Sequence, residues 1–220
     1  MHVRVNAATS VDGKLSTTRR EQLAISGPED FDRVDAIRAS VDAVAVGVGT
    51  VLADDPSLTV DDPDRVAARE ARGDPPQPAR VVADSRGRTP DDATVLDDAA
   101  PTYVLVAEVA TADRVAALEA AGATVVRAGR ERVDLRAALA DLEERGVADL
   151  LVEGGGELCY SLFDADLVDH LRVYVGSTVV GGRDAPTLVD GEGFVAGFPD
   201  LSLQAVERLD DGVALSYDVG

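Results

Sequence analysis

The chain reads as an α/β protein, a three-layer α/β/α arrangement around a mostly parallel sheet that ends in an antiparallel hairpin. Three observations predict this. Short valine-rich runs alternate with segments of helical spacing, the order that βαβ units produce. The runs are apolar almost throughout, as strands covered on both faces are. Two final runs, Leu203 to Arg208 and Val213 to Val219, surround Asp211-Gly212 and read as a hairpin.

Taken in order, Val3 to Ala8 is a first strand and Ser10-Val11-Asp12-Gly13 turns the chain. Pro28 to Ser40 has helical spacing, with Phe31, Val34 and Ile37 on one face and Ser26 as a candidate N-cap. Ala43 to Gly47 is a buried strand, Thr50-Val51-Leu52 a short helical turn, and Asp54-Asp55-Pro56 a loop. The stretch 61–78 is charged and carries four prolines, so it reads as a mobile excursion. Arg80 to Ala83, Thr102 to Ala107, Thr124 to Arg127, Leu150 to Val152 and Leu171 to Val175 are further strands. Thr111 to Ala121 and Leu135 to Arg145 are helices, the second stopped by Gly146. No repeat and no Pro- or Ser-rich linker interrupts the chain, so 1–220 is expected to form a single domain.

Composition bounds the function. Forty-one acids against twenty-one bases give a formal charge of −20, and Lys14 is the only lysine. Such a surface repels itself unless salt shortens the screening length to about 3 Å at 1 M, which predicts a halophilic protein of a salt-rich cytoplasm. The same charge argues against nucleic acid or an anionic membrane as partner. The acid pairs Asp61-Asp62, Asp91-Asp92, Asp97-Asp98 and Asp210-Asp211 are expected to be solvated surface. Cys159 is the only cysteine, which excludes an internal disulfide, and with His2 and His170 it cannot build a zinc site. Neither a leader nor a spanning run is visible, so a cytoplasmic location is expected and no metal is called for.

Four clusters carry chemistry. In Leu150 to Ser161 an apolar run ends at Glu153, then Gly154, Gly155 and Gly156 lead into a helix near Glu157. Bare N–H groups at a helix start suit a phosphate or diphosphate, and a tight strand-to-helix turn is the alternative. Lys14 stands two residues after Asp12, which can orient its ammonium or merely shape the turn. Gly47 to Thr59 pairs two glycines with a helical turn at Thr50, and its Asp54-Asp55 is either a metal pair or a turn. After the strand at Arg80 to Ala83, Ser85, Arg86 and Arg88 offer a hydroxyl and two guanidinium forks to a nucleotide 2′-phosphate.

Ser10-Val-Asp-Gly-Lys14, Val48-Gly-Thr-Val-Leu-Ala-Asp-Asp-Pro-Ser-Leu-Thr59, Ala83-Asp-Ser85, Val152-Glu-Gly-Gly-Gly156 and Val179-Val-Gly-Gly182 resemble, in order, the blocks of the riboflavin-biosynthesis reductases, relatives of dihydrofolate reductase. The resemblance implies a dihydrofolate-reductase-like fold, a homodimer, and transfer of an NADPH hydride to C1′ of a ribosylamino-pyrimidine phosphate. Carried over by position, it places Ala8, Thr50, Asp54, Ser85 and the loop of Gly155, Gly156, Glu157, Leu158, Cys159, Tyr160 and Ser161 on NADPH. Arg38, Leu58 and Glu153 would face the small-molecule substrate, with Lys14 near the reacting sugar. Some bacterial members carry an arginine where this chain has Asp61, which leaves Arg38 to meet the substrate phosphate. Bacterial members also carry a zinc deaminase domain. This chain has no His-x-Glu or Cys-x-x-Cys pair, so it is expected to act on the diamino substrate, before deamination. Lys14, Glu153 and Asp12 are the catalytic candidates. Two rivals stand beside this reading. One is a dihydrofolate or pteridine reductase using Asp30, Asp32 or Asp35 to protonate a pterin, the other a catalytically silent nucleotide-binding module.

Overall fold

Alternation and burial turn the valine runs into strands. A computed structural model describes residues 1–21 and 23–220. In chain order the elements are β1 (His2–Thr9), α1 (Pro28–Arg38), β2 (Ala43–Gly47), α2 (Val48–Asp54), α3 (Pro63–Arg72), β3 (Ala79–Ala83), β4 (Thr102–Val106), α4 (Ala112–Ala120), β5 (Thr124–Arg127), α5 (Leu135–Glu144), β6 (Asp149–Val152), α6 (Gly156–Asp164), β7 (His170–Val175), β8 (Leu201–Leu209) and β9 (Gly212–Val219). They group into two units, Asp35–Leu151 with Met1, and His2–Val34 with Val152–Gly220. Among the described residues no helix is long and apolar enough to cross a membrane.

In the first unit the strands lie in the order β5-β4-β3-β2-β6. β2 to β5 pair in parallel, with Val44 opposite Arg80 and Val82 opposite Val104. Val44, Val46, Val82, Val104, Val106 and Leu151 point to one face and pack with Val51 of α2 and Leu118 of α4. Their neighbours Ala45, Val81, Leu105 and Leu150 point the other way and are equally buried, so both faces of this sheet are covered. In the second unit the order is β1-β7-β9-β8. β1 and β7 run parallel, and β7, β9 and β8 run antiparallel.

Five expectations need correction. The stretch 61–78 holds an ordered helix, α3, with Pro63 as its first residue. Asp62 caps it by accepting from the Asp64 N–H at 2.8 Å, and Gly73 ends it at φ +88°. Its Arg69 is buried and donates to the carbonyls of Ala39, Val41 and Pro75. In α1 the apolar face is only partly used: Ile37 packs on the core and Val34 is half-buried, but Phe31 is 59% exposed while Asp30 and Asp35 are buried. The reason is partners distant in sequence. Asp30 pairs with buried Arg172 at 2.8 Å, and Asp35 accepts from the Asp61 and Asp62 N–H groups and from Arg65. Ser26 does not serve α1 as the expected cap. The Asp210 carboxylate accepts from the Glu29 and Asp30 N–H groups instead, at 3.2 and 3.1 Å. The hairpin turn is therefore Asp210-Asp211, with Asp210 at φ +50° and Gly212 already inside β9. Nor are the acid pairs merely solvated: Asp62 and Asp210 cap helices, Asp97 accepts from Arg80 at 2.8 Å, and Asp91 pairs with Arg114 at 3.0 Å.

Candidate active site

The nucleotide-facing candidates of the first unit sit where its strands end. Gly47 closes β2 and α2 follows at once, which puts half-buried Thr50 in its first turn and exposed Asp54 at its last residue. Partial desolvation pushes the Asp54 carboxyl above the usual carboxylate range. Asp55 adopts a left-handed conformation, φ +40°, and spends both oxygens on Thr94, whose N–H and hydroxyl lie at 2.8 and 2.7 Å. Asp55 thus anchors the loop.

Past β3, buried Asp84 shapes the loop that carries Ser85 and Arg86. One oxygen accepts from the Thr89 N–H and hydroxyl at 2.7 and 2.9 Å, and the other faces Arg88 at 3.7 Å. Arg114 braces the same loop through the carbonyls of Gly87 and Thr89. The Ser85 hydroxyl accepts from the Val133 N–H at 3.1 Å, and an O–H that accepts can still donate. Arg86 is exposed and unpaired among the described residues. Arg88 is exposed as well, with only its Nε directed at Asp84. Arg38 donates to the Thr59 carbonyl at 2.9 Å. Leu58 is buried in the core at φ +57°, so only its backbone can meet a ligand.

The second unit carries Ala8, the lysine loop and the glycine loop. Ala8 is half-buried in β1, opposite Tyr174 of β7. In the turn after β1, the Ser10 hydroxyl accepts from the Lys14 N–H at 2.9 Å and donates to Asp12 at 2.6 Å. The Asp12 carboxylate also accepts from the N–H groups of Val180 and Gly181 at 3.0 and 2.7 Å. These bonds, the Ser10 bond first, hold its pKa down at about 2. Asp12 therefore shapes the turn and leaves the lysine to another partner. The half-buried Lys14 side chain donates from Nζ to the Ala185 carbonyl at 3.2 Å.

After β6, Glu153 is half-buried and Gly155 stands before α6 at φ +96°, ψ +95°, a conformation that side chains disfavour. Gly156 is glycine for a packing reason: a Cβ there would lie 2.5 Å from an Asp190 oxygen and 2.6 Å from the Thr187 carbonyl. Glu157 is exposed and Tyr160 half-buried, while Leu158 and Cys159 turn inward. Burial, with the Asp190 charge second, pushes the Cys159 thiol up to about 12, which makes it a packing residue and no nucleophile. The Ser161 hydroxyl returns to the Glu157 carbonyl at 2.8 Å. Two of the acids that a pterin-protonating enzyme would use are engaged, Asp30 by Arg172 and Asp35 by Arg65. Sequence reasoning missed Asp84, Asp190 and Asp210. The signal it could have used for Asp84 is an acid that directly precedes Ser85 at the end of a buried strand.

Comparison with known proteins agrees with this geometry. The chain is 45% identical over 215 residues to a 2,5-diamino-6-ribosylamino-4(3H)-pyrimidinone 5′-phosphate reductase of Archaeoglobus fulgidus, covering 98% of this chain and 96% of that protein. A pyrimidine reductase-like protein from Corynebacterium diphtheriae has the same fold, with a TM-score of 0.81 at 17% identity over 99% of this chain and 91% of its own. Dihydrofolate reductase from Enterococcus faecalis, crystallised with NADP(H), superposes at a TM-score of 0.52 and 11% identity, over 99% and 96% of the two chains. The fold is therefore that of dihydrofolate reductase. The model of the RibD C-terminal domain family matches residues 1–215, and the chain belongs to that family.

Proposed function

We propose that this chain is an oxidoreductase of riboflavin biosynthesis that reduces 2,5-diamino-6-ribosylamino-4(3H)-pyrimidinone 5′-phosphate to the ribitylamino product, with NADPH as hydride donor. The observation that carries this reading is the 45% identity with a reductase of that name along almost its whole length. The residues fit a phosphorylated nicotinamide nucleotide. The φ of Gly155 suits a backbone N–H turned to an anion, and Arg86 is an exposed guanidinium, unpaired among the described residues, next in the chain to the Ser85 hydroxyl. Ala8, Thr50, Asp54, Ser85, Arg86 and the Gly155 to Ser161 loop hold the cofactor, and Arg38, the Leu58 backbone and Glu153 hold the substrate. The cofactor supplies the hydride. Lys14 donates a proton to the ribose ring oxygen as the sugar opens to an imine, Glu153 holds the sugar hydroxyls, and Asp12 fixes the turn that presents Lys14.

NADPH oxidation in the presence of the diamino-pyrimidine substrate tests the activity. Oxidation with dihydrofolate only would favour the pteridine reductase, and binding of NADPH without oxidation the silent module. Arg86→Ala should narrow the preference for NADPH over NADH by about tenfold or more, the scale of one charge-assisted hydrogen bond. An unchanged ratio of kcat/KM values would remove Arg86 from the 2′-phosphate. Both rate and melting temperature should rise from low to molar potassium chloride as the −20 charge is screened.

We propose further that the chain works as a single cytoplasmic reductase domain and pairs with a second copy through β8. This strand lies at the edge of its unit, and a bulge between Leu203 and Ala205 shifts its register. The shift keeps Val206 on the same face as Leu201 and Leu203, opposite Leu215, Tyr217 and Val219 of β9. Leu201, Leu203 and Val206 are 44%, 55% and 60% exposed. A row of exposed apolar residues on an edge strand invites a partner, and a self-complementary one gives a closed dimer. Leu203→Glu should turn a dimer into a monomer by sedimentation equilibrium. A wild-type monomer would refute the pairing.

A further inference from the structure

Within the second unit, the stretch from Gly182 to Phe194 forms a strap joining the lysine loop to α6. At one end it holds the lysine loop by two bonds. The Leu15 N–H donates to the Pro186 carbonyl at 2.9 Å, which makes Lys14 and Thr187 an antiparallel bridge, and Lys14 Nζ donates to the Ala185 carbonyl at 3.2 Å. At the other end it holds α6. The Asp190 N–H donates to the Gly156 carbonyl at 3.1 Å, Gly191 lies against the Tyr160 ring, and Phe194 packs on that ring with centroids 5.2 Å apart. The two ends are joined by one carboxylate. Asp190 Oδ1 accepts from the Thr187 hydroxyl at 2.6 Å and from the Thr187 N–H at 3.1 Å.

We infer that Asp190 is a positioning residue for the reduction, acting through Thr187 and the Ala185 carbonyl on the Lys14 ammonium. This rests on the reading of Lys14 as the proton donor. An ammonium has three N–H donors. A lysine held by one neutral carbonyl keeps two of them for a ligand and, with no carboxylate among the described residues clamping it, can move with the opening sugar. The direction in which it points is then set by the carbonyl, hence by the 187–190 turn that Asp190 closes. The close approach of Asp190 to Gly156 puts the register of the strap under the control of the α6 start as well.

The test is a double-mutant cycle read in single turnovers, with NADPH affinity and melting temperature measured alongside. Asp190→Ala should slow the chemical step by about ten- to a hundredfold, the scale of a roughly 1 Å misplacement, and leave the NADPH dissociation constant within about twofold. Asp190→Asn keeps an oxygen for Thr187 and should recover most of that rate. In a Lys14→Met background, Asp190→Ala should cost nothing more. If Asp190→Ala does not yield folded protein, Thr187→Val, which removes the 2.6 Å bond from the other side, takes its place in the cycle. A slow Lys14→Met with Asp190→Ala at the wild-type rate overturns the inference alone. So does a full additional loss from Asp190→Ala on top of Lys14→Met, or an Asn variant as slow as the Ala one. A Lys14→Met enzyme at the wild-type rate overturns the proton-donor reading itself.

Discussion

Lys14→Met is expected to bind NADPH as the wild type does and to lower the chemical step by roughly 10²- to 10⁴-fold, the range of a positioned acid or base. The chain holds no second lysine that could substitute. Lys14 is half-buried, its ammonium touches a single carbonyl among the described residues, and it lies in a turn fixed by Ser10 and Asp12. Lys14→Arg should restore little, because a guanidinium is larger, planar and far more reluctant to release a proton. Single-turnover rates at saturating NADPH measure this directly. If both variants keep the wild-type rate, the proton comes from elsewhere, and Glu153 becomes the group to examine.

The largest loss of stability is expected from Asp30→Ala. Asp30 and Arg172 are 3% and 6% exposed in their side chains and meet at 2.8 Å, with Asn6 accepting the second guanidinium bond at 3.0 Å. Removing the carboxylate strands a buried cation, which costs about 3–5 kcal/mol, a large part of the roughly 5–15 kcal/mol that holds a typical domain together. Urea unfolding should show the midpoint falling steeply at an unchanged slope. The double variant Asp30→Ala/Arg172→Met should regain most of the loss, because no charge is then left buried. An Asp30→Ala protein as stable as wild type would mean that water reaches Arg172.

The sheet was legible in the sequence because strands covered on both faces must be apolar, and β2, β5 and the β7 core begin and end within about a residue of the valine runs. What stayed hidden was decided by contacts across long sequence separations. Spacing places Phe31, Val34 and Ile37 together, but Arg172 and the Asp61-Asp62 backbone pull the acids of α1 inward instead. The helix α3 was hidden for another reason. Its prolines and charged residues read as loop, and the residue it buries is an arginine, Arg69. Its ends were nonetheless written in the chain, as an aspartate before a proline and a glycine after the last turn. In the glycine triplet, sequence supplied the residue type but not the cause. Gly155 answers to backbone conformation, Gly156 to the carboxylate of Asp190.

The cap on α1 has a consequence for how the protein is made. Asp30 waits for an N–H acceptor that lies 180 positions later in the chain. At about 5–20 residues per second, roughly ten to forty seconds of translation separate the two. The stretch Asp35–Leu151 is continuous and can close its core while the ribosome is still at work, whereas β1 must stay unpaired with β7 until the last third of the chain emerges. The end of synthesis therefore completes the beginning of the molecule, and a nascent chain stalled before β7 would hold β1 without its parallel partner and α1 without its Asp210 cap. In a crowded cell, that interval is when this reductase most needs a chaperone.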